Sequence, residues 1–389
     1  MFKSLKAFFN NTDIYEKLLK ACLLTVALIV YLPYKFASYF LILTAIIGLL
    51  FPFFRSSLLR YKGSVLSFAF LILTATVGLI NGNYLGVRRT CVFAAMLGIT
   101  TAARSVMTKD FFEKLLNTVV LGGCIAAIHS VIELIINRNV PNYRSQAFFT
   151  NPNFLGTALT FCILICAFKA ATKAPRTEGY YVAALVLALG LYVSGSLSLW
   201  LVAFIGILLM LIFLKNYKLL TVFCSIAAVG IVLILLVPGM IHRLDELSAT
   251  IDNRLQIWSF AIEQFKTAPV FGRGFYTYKF LYNKLSDTQV IYPAAMSHSM
   301  ILDGFLCHGI VGMSVICTAV TRFYTSLFKT RKQLKEKRQD RSVSSFILAV
   351  GIAVSLYGLM DTTFVWVQTG MILLLFTAGL GIEDKAAEN

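Results

Sequence analysis

The chain has 389 residues, 58% of them hydrophobic and only 14% charged, with 35 Lys+Arg against 18 Asp+Glu and a formal charge of +17. Ordinary soluble domains run near a quarter charged, and a soluble chain this apolar would lack residues for its surface. The composition excludes a cytosolic enzyme, a secreted disulfide scaffold and a disordered chain, and implies an all-α polytopic membrane protein.

A helical span needs about 20 mostly apolar residues. Twelve segments qualify, at roughly 17–33, 36–54, 63–81, 88–103, 115–136, 153–169, 179–194, 197–214, 219–238, 298–321, 343–360 and 365–382. The fourth is short, because only 14 uncharged residues separate Arg89 from Arg104. Its Arg side chains must snorkel, or the helix must sit short in the bilayer. From Tyr180 to Leu214 there is no charge for 35 residues, and Ser194-Gly195-Ser196 is the one turn-prone break. A tight hairpin is expected there. Between spans nine and ten lies a loop at 239–297, 59 residues long. It is too small for much of a core of its own, so it should pack on the bundle. Loops of that length are usually functional. The expected division is residues 1–238 for spans one to nine, 239–297 for the loop, and 298–389 for the last three spans.

With the N-terminus inside, 24 of the 35 Lys+Arg fall on inner segments. The positive-inside rule therefore places both termini in the cytoplasm and the 239–297 loop outside. The densest basic run, Arg322 to Arg341, reads as an inner-face anchor beside anionic lipid, not as a nucleic-acid site. The eight Cys all fall in expected spans without C-x-x-C spacing, and read as small packing residues. No metal site is implied.

Within the loop, 250–266 reads as an amphipathic helix with Ile251, Leu255, Trp258, Ile262 and Phe265 on one face. Arg254 falls on the flank of that face, where a guanidinium needs a partner such as a lipid diphosphate. Pro269-Val-Phe-Gly272-Arg273-Gly274 allows a tight turn and close backbone approach. His298 stands where the loop enters span ten, with Gly309 and Gly312 deeper. A helix N-terminus disfavours imidazolium, so a neutral His298 with a pKa at or below about 6.5 is expected, suited to a general base. Asp303 lies inside span ten, off the His298 face. Arg88 and Arg89 stand at the outer end of span four, against the charge trend. His129 and Glu133 are four apart on span five and can meet on one face as part of a cavity wall. Asn151 and Asn153 organise the entry to span six.

Arg254-x-x-x-Trp258, Pro269-x-x-Gly272-x-Gly274 and His298 with Gly309 and Gly312 resemble the O-antigen ligase/polymerase family. So does Arg144-Ser-Gln-Ala-Phe-Phe-Thr-Asn151-Pro152-Asn153. The motifs stand in the family's order, and together with twelve spans and one large late outer loop the resemblance covers essentially the whole chain. The resemblance implies a GT-C-like membrane glycosyltransferase of the bacterial cytoplasmic membrane. Its donor would be an undecaprenyl-diphosphate-linked glycan on the outer leaflet, its acceptor a glycan, lipid or wall polymer. It implies metal independence and no nucleotide sugar or other cofactor. Two positions depart from the pattern: the Arg often found just after the hairpin is Leu197 here, and a Glu often found near Gly309 is Cys307.

Together these readings assign His298 as catalytic base in an inverting displacement. Arg254, Arg88, Arg89, Arg144 and Arg273 become candidates for the diphosphate. Trp258, Gly272, Gly274, Asp303, His129, Glu133 and Asn153 support the cavity. A ligase is favoured over a repeat-unit polymerase. A lipid-linked oligosaccharide transporter is the rival from another class, but no matching halves are evident.

Overall fold

The computed structural model describes residues 7–236, 247–285 and 294–388. Among the described residues the regular structure is entirely helical. The helices are α1 (Thr12–Ile29), α2 (Tyr34–Leu49), α3 (Pro52–Arg60), α4 (Lys62–Ile80), α5 (Tyr84–Val106), α6 (Lys109–Ile136), α7 (Pro152–Ala171), α8 (Thr177–Val193), α9 (Leu197–Phe213) and α10 (Tyr217–Leu236). After these come α11 (Leu247–Lys266), α12 (Thr277–Tyr282), α13 (Met300–Glu336), α14 (Ser342–Tyr357), α15 (Val367–Ala378) and α16 (Leu380–Glu388), with a 3-10 turn at Thr363–Val365 before α15.

Local chemistry explains where these helices begin. Asn11 Oδ1 accepts from the backbone N–H of Asp13 and Ile14, and Thr108 caps α6 through the Phe111 N–H. Asn151 caps α7, with Pro152 in the first turn, where its missing N–H costs nothing. The expected hairpin appears as the Ser194–Ser196 break between α8 and α9, with Gly195 at φ +63°. Each of the twelve expected spans has a helix. Among the described residues five segments are long and apolar enough to cross a bilayer: Gly63–Ile80, Lys109–Ile136, Pro152–Ala171, Met300–Glu336 and Val367–Ala386. A sixth crossing results if α2 and α3, bent by 102°, count as one. That bend corrects the expected second span, which ends at Leu49 and turns away rather than running on to 54. The fourth span gains length by taking in its charges. Arg88 and Arg89 fall in the early turns of the 23-residue α5, and Arg104 falls in the last.

Among the candidate spans α7 is the most buried, surrounded by α6, α8, α9 and α15. Small residues allow close approach, as membrane helices require. A Cβ on Gly190 of α8 would stand 2.6 Å from the Ala127 Cβ of α6. All eight cysteines are free; Cys162, Cys166 and Cys307 pack inside as expected, whereas Cys91, Cys224 and Cys317 are exposed.

Parts of the 239–297 loop, at 239–246 and 286–293, lie outside the described residues. Within its described part, α11 turns a different face inward from the one its sequence predicts. Ile251, Leu255 and Ile262 are 49%, 54% and 43% exposed, while Ile257, Phe260 and Ala261 are buried. Phe265 still packs edge-on against Phe305 of α13. Arg254, Ile257, Trp258 and Ala261 are spaced as one helical face, so Arg254 belongs to the inward side rather than its flank.

The glycine turn docks on α13 where that helix breaks. Gly309 has φ +63°, ψ −168°, which interrupts the helix. The freed backbone groups are taken by the turn. Ile310 and Val311 N–H donate to the Pro269 and Val270 carbonyls at 2.8 and 3.1 Å, and Gly274 N–H donates to the Cys307 carbonyl at 2.8 Å. A Cβ on Gly272 would stand 2.4 Å from the Cys307 carbonyl. Asn83 secures the other side of the turn, its Nδ2 donating to the Arg273 and Phe275 carbonyls at 3.0 and 2.9 Å.

Candidate functional site

His298 stands one residue before Ser299, the N-cap of α13, with φ +54°. A non-glycine residue in this left-handed region costs about 1–3 kcal/mol and persists only where its neighbours dictate it. The neighbours here do so. Trp258 Nε1 donates to the Ser297 carbonyl at 2.9 Å, and Ser297 N–H donates to Asp303 Oδ1 at 3.0 Å. Met300 N–H donates to the Gly358 carbonyl at 2.7 Å. Asp303 therefore acts on His298 through the backbone, not through a shared helix face.

The side-chain partner of His298 is Asp361, a buried residue on the loop between α14 and the 3-10 turn. Asp361 Oδ1 lies 3.2 Å from His298 Nδ1 and accepts from the Thr362 N–H at 2.7 Å. An ionised carboxylate can only accept, so Nδ1 carries the proton and Nε2 is left as the basic nitrogen. Burial is the largest single influence on His298 and pulls its pKa down. The hydrogen bond and charge of Asp361 act against it, Asp303 adds to them, Arg254 opposes them, and the net displacement is upward. The helix N-terminus does not decide the titration, which corrects the expected value at or below about 6.5. Asp361 is held in its charged form: burial pushes it up, but the His298 contact, the Thr362 amide and Arg254 outweigh that, so its carboxyl lies below the usual range.

The second oxygen of Asp361 leads to the other motif. Asn153 Nδ2 donates to Asp361 Oδ2 at 3.2 Å, and Asn153 Oδ1 accepts from Arg144 Nη2 at 2.6 Å and Ser196 Oγ at 2.8 Å. Arg144 Nε donates to the Ser194 carbonyl at 3.0 Å, and its Nη2 also reaches Ser196 Oγ at 3.2 Å. Glu133 positions this loop from below. Its Oε1 accepts from the Tyr143 hydroxyl at 2.5 Å, and its Oε2 accepts from the Gln146 and Ala147 N–H groups at 3.1 and 2.7 Å. The hydrogen bond to that carboxylate pushes the Tyr143 phenol up to about 12. Glu133 thus serves the loop rather than pairing with His129, which lies against the Phe148 ring at 4.3 Å with a buried Nδ1 lacking a partner.

Among the cations, half-buried Arg254 lies close enough to act on both His298 and Asp361. Arg89 lies over Trp366 at 4.1 Å and near Tyr276 and Tyr34 at 5.2 and 5.8 Å. Tyr276 feels both Arg89 and Asp303, which joins this aromatic pocket to the same region. Arg88 is exposed on the neighbouring face of α5. Arg273 turns back to cap α11, donating to the Gln264 carbonyl at 3.3 Å and Thr267 Oγ1 at 2.8 Å. His308 is a core residue between the Phe70 and Phe275 rings.

The structure therefore brings together His298, Asp303, Arg254, Trp258, Asn153 and Arg144, with Arg89 nearby. It sets Arg88, Arg273 and His129 apart from them. Sequence reasoning missed Asp361, whose signal was a lone acid in the apolar stretch 342–382. Among the described residues no group of three or more His, Cys, Asp or Glu could hold a metal ion. The assembled groups suit proton transfer at Nε2 beside a half-buried guanidinium.

Residues 182–317 match the family described as O-antigen ligase. Over those residues the chain is similar to that family. The match spans most of α8 to the first half of α13 and so includes Arg254, the glycine turn and His298, while the Arg144–Asn153 motif lies before it. It supports a ligase- or polymerase-like membrane glycosyltransferase. No curated protein matches the chain.

Proposed function

We propose that this protein transfers a glycan from undecaprenyl diphosphate to an acceptor hydroxyl on the extracytoplasmic side of a bacterial cytoplasmic membrane, as an O-antigen ligase does. The twelve helical segments would span with both termini inside, and the 239–297 segment would form the outer lid. The observation that carries the reading is the His298–Asp361 pair within reach of the Arg254 charge.

A diphosphate is a good leaving group, so the chain must supply two things. Arg254, aided by Arg144 and Arg89, binds the diphosphate and stabilises the charge that grows on it. His298 Nε2 removes the acceptor proton while Asp361 holds the ring and stabilises the imidazolium. The acceptor oxygen forms a bond to the anomeric carbon and the bond from that carbon to the diphosphate oxygen breaks, inverting the centre. The proton passes to His298, and undecaprenyl diphosphate leaves. No metal or nucleotide sugar takes part in this scheme.

The test is transfer by purified protein in detergent, with a lipid-linked glycan and candidate acceptors. His298→Ala should lower turnover about 10²–10⁴-fold while donor binding stays near wild type, the loss typical of a general base. His298→Gln should not rescue, since it cannot take up the proton. Retention of more than about a tenth of wild-type turnover in His298→Ala would remove His298 from this role. A second lipid-linked repeat unit serving as the better acceptor would make the protein a polymerase.

A further inference from the structure

A cavity of about 1250 Å³ opens at the opposite end of the bundle from His298. Its walls include the first four turns of α6, the turn between α7 and α8, and the start of α16. On α6 the cavity begins at Lys109, whereas Glu133, which holds the Arg144 loop, stands about 36 Å further along the same helix.

The cavity has two chemically distinct parts. One is an apolar slot along α6 and α8, lined by Val120, Leu121, Cys124 and Ala183. From Lys109 to Cys124 it extends about 22 Å, well into a hydrocarbon layer about 30 Å thick. The other part is polar and carries both signs. Lys173 and Arg176 line it from the α7–α8 turn, and among the described residues neither has a carboxylate partner. The same lining holds acceptors without a donor. Glu383 is 3% exposed and its Oε2 has no partner, although its Oε1 accepts from the Ser344 N–H at 2.9 Å. Gln339 Oε1 is likewise buried without a partner. A buried acceptor is costly unless something donates to it.

An apolar slot fits an acyl chain, two cations fit a phosphate, and orphaned acceptors fit a group rich in N–H. We infer that this cavity holds one phospholipid whose headgroup carries both a phosphate and a primary ammonium, as phosphatidylethanolamine does, drawn from the leaflet opposite the His298 site. A phosphatidylglycerol headgroup lacks the cationic donor, and a choline headgroup carries a cation with no N–H. This assignment stands independently of the transfer reaction.

The test uses the full chain in nanodiscs of phosphatidylcholine containing small equal amounts of phosphatidylethanolamine and phosphatidylglycerol. Native mass spectrometry after release counts the lipids that stay bound. One phosphatidylethanolamine should remain, enriched about tenfold over either competitor, the effect of one charge-assisted contact. Gly179 lines the cavity and a Cβ there meets nothing within 4 Å, so Gly179→Trp should fill the slot and abolish retention. Lys173→Ala/Arg176→Ala lies in the exposed turn and should cut retention about tenfold, which keeps the test decisive if the Trp variant does not fold. Equal retention of the three lipids, survival of no lipid, or wild-type retention in the double variant would each overturn the assignment.

Discussion

Arg144 and Ser196 lie 52 positions apart in sequence, yet Arg144 Nη2 donates to Ser196 Oγ at 3.2 Å. Ser196 opens the run in which the sequence resemblance leads one to expect an Arg, and in which this chain has Leu197. The Arg144 guanidinium therefore brings a positive charge to the hairpin from a different loop. A Cβ on Gly195 would stand 3.1 Å from Arg144 Nε, so the guanidinium lies directly against the hairpin backbone. Under the proposed function this arrangement substitutes for the missing cation.

Arg144→Lys keeps the charge but loses the planar fork that serves Ser194, Asn153 and Ser196 together. It should lower kcat/KM for the lipid donor about tenfold to hundredfold, in line with about 1.5–3 kcal/mol for a charge-assisted contact. Arg144→Ala should also lower Tm, because the Ser194 carbonyl and Asn153 Oδ1 lose a donor. Donor titrations and thermal melts on purified variants separate the two effects. Wild-type donor affinity with a lowered Tm would leave Arg144 a purely structural clamp.

Asp361→Asn removes the charge facing His298 and makes either ring tautomer available. Asp361 raises the His298 pKa, so its loss lowers that pKa. A base works only when deprotonated, and activity falls as pH drops through its pKa. In the wild type the rising limb of kcat/KM should therefore lie above about 6.5, and in Asp361→Asn it should move to lower pH. The plateau should fall about 10²–10⁴-fold, as expected when a base loses the group that orients it. An unmoved limb with a lowered plateau would mean that another group sets the titration.

Much of this architecture was legible in the sequence, and the misses have physical causes. Long apolar runs and the Ser194-Gly195-Ser196 break reported the helices, because lipid tolerates little else. The inward face of α11 was misread because Ile251 and Leu255 are apolar yet exposed. In a membrane protein apolarity marks contact with lipid as readily as contact with the core, so periodicity alone cannot choose the face. Glu133 sits four residues from His129, but a loop ten residues further on offered it a hydroxyl and two amides, a richer set than one imidazole. Asp361 gave no periodic signal at all. Its role depends on α13, α14 and α7 meeting at one end of the bundle, which is tertiary information.

The contact between the glycine turn and the α13 break admits no side chain. A Cβ on Gly309 would stand 2.3 Å from the Val270 carbonyl oxygen, and its φ of +63° already disfavours any other residue. Gly309→Ala should push the 269–274 turn off α13 and destabilise the fold by several kcal/mol, since backbone cannot yield as a side chain can. Reduced yield and a lowered Tm in detergent should accompany the loss of activity. A Gly309→Ala protein with wild-type Tm would show that the turn is held elsewhere.

The proposed orientation can be tested with single cysteines in a Cys-free variant. Asn283, just after α12, should label from outside intact cells. Gln333, in the exposed last turns of α13, should label only after permeabilisation. The expectation follows from the bias of Lys and Arg toward one set of segments. Labelling of Gln333 in intact cells would invert the topology and place His298 in the cytoplasm.

Arg254 offers two readouts that separate its charge from its shape. Its positive charge lowers the His298 pKa and that of Asp361. Arg254→Lys keeps that charge, so the pH limb of kcat/KM should stay where it is. The Lys side chain lacks the fork that grips a diphosphate bidentately, so kcat/KM should still fall about tenfold to hundredfold. Arg254→Met removes both properties while preserving much of the apolar stem against the Ile257 and Ala261 face. With the cation gone, the His298 pKa rises and the limb should move to higher pH. Donor binding should weaken further, with the acceptor KM little changed. Saturating donor provides an additional check. A bound diphosphate adds negative charge beside His298, so the limb of kcat in the wild type should lie above that of kcat/KM. Wild-type kinetics in Arg254→Lys, or an unshifted limb in Arg254→Met, would detach Arg254 from the diphosphate and from His298 respectively.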